Sequence, residues 1–186
     1  MELLEKTTKN KEEKKEDNSD KKELLSIGRH PQNAKHYREE WSFISYEPAR
    51  DNISYQLQYL EFMINLYNDY KMYLTIESLH CKNMLITLAS IFESALFDLL
   101  YQVNEKKGLG IDIREDFVSL IELGFRNGLL DGNMKYSLHE LRKVRNFVHI
   151  SSLEHKEYEA YTVEQVNLYL MLLNNFQKRV GEKFKK

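Results

Sequence analysis

The chain holds a single cysteine, Cys81, among 186 residues, so it can form no intrachain disulfide and has no paired Cys or Cys/His spacing for a structural zinc site. A reducing compartment fits that usage. Two prolines and seven glycines leave few obligatory turns, while runs rich in Leu, Glu, Lys, Met and Gln favour helix over strand, which predicts an all-α protein. Nowhere do 18 or more apolar residues follow one another, and the start Met1-Glu2-Leu3-Leu4-Glu5-Lys6 lacks the apolar run of a secretory signal. The expectation is a cytoplasmic protein with no membrane association. A formal net charge of -2 supplies no global field to draw in nucleic acid, so any such binding must rest on a local patch. There is no Gly-rich phosphate loop, no Ser/His/Asp series and no carboxylate-rich cluster, and His30, His36, His80 and His155 have no metal-like spacing, so neither a cofactor nor a metal is expected.

With 42% hydrophobic residues the chain can build one domain with a real core. Residues 1–24 carry seven lysines against eight acidic residues and no aromatic, which predicts a disordered charged tail. Residues 25–50 form a linker with a short packed helix over His36–Ser45 that carries Trp41 and Phe43. From 51 to 183 a helical domain is expected. In it, Ile53, Leu57, Leu60, Met63, Ile64, Tyr67 and Met72 recur at helical spacing. The next helix starts near Ser78, runs through Leu85, Leu88, Phe92 and Leu96, and stops at Lys106-Lys107-Gly108; it should be the central, most buried one. Asp112 with Glu115 makes a capping box before Phe117, and Gly124, Gly128 and Asp131-Gly132 punctuate the chain after it. Asn133 or Ser137 can cap the next helix, and Thr162 with Gln165 opens the last, which carries Val166, Leu170, Leu173, Phe176 and Val180. The sum is a bundle of about five helices.

Only one stretch looks chemical. Leu138-His139-Glu140-Leu141-Arg142-Lys143-Val144-Arg145-Asn146-Phe147-Val148-His149 reads as helix, and at 100° per residue Arg142, Arg145 and His149 fall within roughly 60° of arc. A guanidinium can grip a phosphate through two parallel hydrogen bonds, and an imidazole can move a proton near neutral pH. The same arginines could instead pair with Glu140, Glu93 or Asp98. His139, about 80° around the helix from His149, is expected to be peripheral. Glu93, on the central helix, could reach the arginines and fix their rotamers.

With an Arg-Asn pair followed by a histidine late in a helical chain, the sequence resembles the HEPN superfamily of small helical domains. Arg145-Asn146 carries the familiar context of that motif, whereas Arg142 has its usual spacing to His149. The approach from Phe117-Val118-Ser119-Leu120 to Leu138-His139-Glu140-Leu141, and the Phe92-Glu93-Ser94-Ala95-Leu96 segment, resemble the family as well, over roughly Ile53 to Val180. The resemblance implies an up-and-down, HEPN-like bundle that works as a homodimer, its two motifs facing a shared cleft. It implies a metal-independent endoribonuclease of toxin or antiphage-defence type, with Arg142, Arg145, Asn146 and His149 as catalytic residues and Glu93 in support, cleaving RNA to a 2',3'-cyclic phosphate. An antitoxin or another protein is a possible partner. The rival reading is a noncatalytic HEPN-like module for interaction or for nucleotide or RNA sensing.

Overall fold

The computed structural model describes residues 30–108, 110, 113, 116–146 and 161–184. Its described elements are all helices: α1 (Ala34–Glu40), α2 (Glu47–Asp69), α3 (Leu74–Lys107), α4 (Phe117–Arg126), α5 (Gly132–Asn146) and α6 (Val163–Phe184). The expected tail lies outside the described residues.

The centre is α3, 34 residues and so about 51 Å long. It packs against α2, α4, α5 and α6, while α1 rests on α2. Its apolar residues lie nearly all around the helix, the pattern of a helix buried on every side. Leu85, Leu88, Phe92, Leu96 and Leu99 are fully buried, and Phe92 meets Phe176 of α6 edge-on at 5.4 Å between ring centres. By length and composition α3 could cross a membrane, yet 67% of its most apolar window is buried by its neighbours. It begins four residues before the expected Ser78 and ends as expected, with Gly108 left-handed at φ 58° and its N–H returned to the Asn104 carbonyl.

A hairpin joins α2 to α3. Tyr67 donates its hydroxyl to Glu77 at 2.7 Å, and His80 Nε2 lies 2.8 Å from the Met63 carbonyl, so that ring nitrogen is a donor. Toward the other end Tyr46 meets Asp98, so the two helices run antiparallel. α6 runs parallel to α3: the Tyr161 N–H reaches Ser78 Oγ, Phe176 lies at Phe92, and Phe184 lies under the Lys106 ammonium.

Several local expectations move. The first helix ends at Glu40, so Trp41 and Phe43 sit in the turn after it; both are buried, 5.3 Å apart between ring centres. α2 starts earlier than expected, at Glu47, with Pro48 in its first turn. Asp116 caps α4 by accepting the Ser119 N–H at 2.9 Å, whereas Asp112 and Glu115 lie outside the described residues. Asp131 caps α5 through the Met134 N–H at 2.9 Å, in place of Asn133 or Ser137. Gly124 lies inside α4 and does not interrupt it. A Cβ there would come within 3.1 Å of Leu96 Cδ2, so the missing side chain lets α4 approach α3. The Thr162–Gln165 box forms as expected, Thr162 N–H to Gln165 Oε1 at 3.0 Å and Gln165 N–H to Thr162 Oγ1 at 3.4 Å.

One polar anchor fixes the chain entering α2. Asp98, only 4% exposed, accepts the Ser45 N–H at 2.9 Å, the Tyr46 N–H at 2.8 Å and the Ser45 hydroxyl at 3.1 Å. Gln102 Nε2 donates to the same carboxylate at 2.7 Å and to the Phe43 carbonyl at 2.9 Å. Tyr46 offers no capping side chain of its own, so α3 supplies the acceptor, and the carboxylate stands where the dipole of α2 favours negative charge.

Candidate functional site

Leu138 and Leu141 fasten α5 to the core, and that apolar stripe sets which way its cations point. Arg145, three and a half turns along α5, reaches α3 and donates Nη1–H to Glu93 Oε1 at 2.6 Å. The arginine side chain is 38% exposed and the glutamate 19%, so the pair stands at the edge of the bundle with part of the guanidinium open to solvent. A guanidinium has five N–H donors, and one bond to Glu93 leaves others for an anion.

The structure therefore separates the two motif arginines. Arg145 takes the pair with Glu93, the contact expected from α3. Arg142 turns partly into the packing, its Nε buried and without a hydrogen-bond partner among the described residues. Asp98, the other acidic candidate on α3, is occupied in the Ser45–Gln102 anchor. Glu140 pairs with Lys143 at 2.7 Å. Asn146 ends the described part of α5 and is exposed. His149 lies outside the described residues.

The opposite flank of α5 carries a cluster that sequence reasoning does not reach. Glu122 of α4 accepts from Lys135 Nζ at 2.8 Å and from the His139 ring at 3.0 Å, which ties α4 to α5. His139 is thus a helix-to-helix contact, consistent with a place away from the motif face. The i, i+4 spacing of Lys135 and His139 is a signal, but their common partner lies on another helix. The Lys135 hydrogen bond, then that of His139, holds Glu122 below the usual carboxylate range. A depressed carboxylate contributes stability above its unfolded pKa and loses it as pH falls through the folded value. Glu122→Gln is accordingly expected to melt lower than the wild type at pH 7, by about 1 kcal/mol or less for so open a cluster. The difference should shrink below about pH 4.3, where an ordinary glutamate protonates. Thermal melts of both proteins from pH 7 to pH 3 check this, and a constant gap would contradict it.

No protein-family model, curated protein or solved structure matches the chain. What fold and geometry define is an all-α bundle whose fifth helix presents an arginine, braced by a carboxylate from the central helix, at the bundle edge.

Proposed function

We propose that the chain is a metal-independent endoribonuclease of toxin or antiphage-defence type, acting as a pair of copies. The observation that carries the reading is the Arg145–Glu93 contact: the arginine in the Arg-Asn context is the one held at the edge of the bundle with guanidinium surface to spare. In this reading Arg145 binds the scissile phosphate and the charge that grows on it during attack. His149 of one copy takes the proton of the ribose 2'-hydroxyl, whose oxygen attacks phosphorus. The bond from phosphorus to the 5'-oxygen breaks, and the histidine of the other copy returns a proton to that oxygen. The products are a 2',3'-cyclic phosphate and a free 5'-hydroxyl. Asn146 orients substrate or imidazole, and Glu93 acts through Arg145 by fixing its rotamer.

A noncatalytic module for interaction or RNA sensing is favoured by the placement of Arg142. Its half-turned, partly buried side chain serves packing more than phosphate capture, which leaves Arg145 as the more open of the two motif arginines.

The test is incubation of the purified wild type and His149→Ala with a mixed RNA pool in EDTA, followed by mapping of the ends. Cleavage by the wild type alone, with cyclic phosphate ends, is the expected result. RNA retained but uncut by both proteins supports the sensing module.

A further inference from the structure

Along one arc the central helix is only partly covered. From Met84 to Leu100 every residue of α3 is buried except Ile86, Ser90, Glu93, Ser94 and Phe97, and at 100° per residue those five share about 100° of arc. Glu93 and Ser94 mark its two edges. At the Glu93 edge Arg145 of α5 reaches over, and at the Ser94 edge α2 closes in, its Asn52, Tyr55 and Gln56 lining one notch with Ser90 and Ser94. The strip is therefore the floor of a groove walled by α5 and α2.

The two walls differ in chemistry. On the α5 side stands a guanidinium with N–H donors to spare, which suit a phosphate. On the α2 side the notch encloses about 310 Å³, and none of its described lining residues is charged. That volume is at the lower limit of small-molecule pockets, about 300 Å³, and gives room for a single base. An amide carries a donor and an acceptor side by side, the complement of a nucleobase edge. Among the described residues neither Asn52 nor Gln56 gives its amide to a partner. Tyr55 is 54% exposed and has no ring against it among those residues, whereas Tyr59 and Phe62 stack on each other. Unpaired RNA bases are held by such a set, stacked on an aromatic ring and hydrogen-bonded along the edge.

Notch and guanidinium stand at one level of the bundle. Ser90 and Glu93 are i, i+3 neighbours on α3, with Cβ atoms about 5–6 Å apart, and Glu93 holds Arg145 at 2.6 Å. A base in the notch and a phosphate at Arg145 then belong to the same nucleotide or to adjacent ones.

We propose that the notch between α2 and α3 is a base-recognition subsite for single-stranded RNA: one unpaired base stacks on Tyr55, Asn52 and Gln56 read its edge, and Arg145 holds a phosphate beside it. The inference rests on the reading of Arg145 as a phosphate grip and adds the class of RNA that the site takes. Duplex RNA is excluded, because its bases are paired and stacked.

The test is fluorescence anisotropy of a short, randomised, single-stranded RNA in EDTA on the full chain carrying His149→Ala, so that cleavage does not consume the probe. Adding Tyr55→Ala should weaken binding by about 5–150-fold, the loss of one base–aromatic stack. Tyr55→Phe, which keeps the ring, should bind like the parent, and so should Tyr70→Ala, an exposed tyrosine in the α2–α3 turn. Sequencing of the retained RNA should show a base preference at one position, which Asn52→Ala combined with Gln56→Ala flattens. A blunt RNA duplex of the same length should bind more weakly. Tyr55, Asn52 and Gln56 are all exposed, so helical circular dichroism should not change in these variants. Unchanged affinity in Tyr55→Ala, retained RNA without a base preference, or a duplex bound as tightly overturns the subsite even in a chain that cleaves RNA. A wild type that never cleaves, on a chain whose binding and base preference depend on these three residues, upholds the subsite and removes the nuclease step alone. A chain that binds no RNA overturns both.

Discussion

Arg145→Ala is expected to lower RNA cleavage by about 10²–10³-fold while leaving the melting temperature almost unchanged. The kinetic loss is that of removing one preorganised donor aimed at the charge developing in the transition state. The small stability effect comes from exposure: at 38% accessible, the guanidinium forms an edge-of-bundle ion pair, and such pairs contribute about 0–1 kcal/mol. Glu93→Gln separates bracing from chemistry. An amide still accepts a hydrogen bond from Arg145 but holds it less firmly, so cleavage should fall by less than in Arg145→Ala. Single-turnover kinetics on a short RNA, run beside thermal melts, check both variants. If Arg145→Ala cleaved as fast as the wild type, the arginine would be a structural tie and the nuclease reading would lose its support.

The largest stability effect is expected at Asp98. Asp98→Ala removes the common acceptor of the Ser45 N–H, the Tyr46 N–H, the Ser45 hydroxyl and the Gln102 amide, all contacts of a side chain almost sealed from water. Donors left without a partner at a part-buried site cost about 1–3 kcal/mol each when water cannot reach them, and Asp98→Ala leaves several such donors at once. A loss of about 3–4 kcal/mol is expected, visible as a lower urea midpoint at unchanged slope. Asp98→Asn should recover part of it, because one amide oxygen still accepts while the amide nitrogen adds a donor to a place already full of donors. Trp41 reports locally, since the turn it occupies is the segment Asp98 and Gln102 hold down. A shift under about 1 kcal/mol for Asp98→Ala would mean that water replaces the carboxylate.

The two expected effects rest on parts of the molecule that are unequally visible in the amino-acid sequence. The arginines, the asparagine and the glutamate all stand out there as candidates, but which arginine meets Glu93 is open, because Arg142 and Arg145 lie on nearly the same arc of one helix. Packing decides it. Leu138 and Leu141 turn α5 so that Arg145 faces α3 and Arg142 is half enclosed. Asp98, by contrast, stands out in the sequence only as a partner for those arginines. Nothing near it in the chain announces that it closes the entrance to α2.

The sequence by itself determined the all-α class, the long central helix with its stop at Lys106-Lys107-Gly108, and the Thr162–Gln165 opening of α6, because side-chain periodicity and caps act within four residues along the chain. Only the tertiary structure decided that Gly124 continues α4, that Asp98 anchors Ser45 and Tyr46, and that Arg145 pairs with Glu93. The last two contacts each join residues 52 or 53 positions apart. Such pairings depend on how far helices approach and how each is rotated about its axis, and those are set by the fit of apolar faces across the whole bundle.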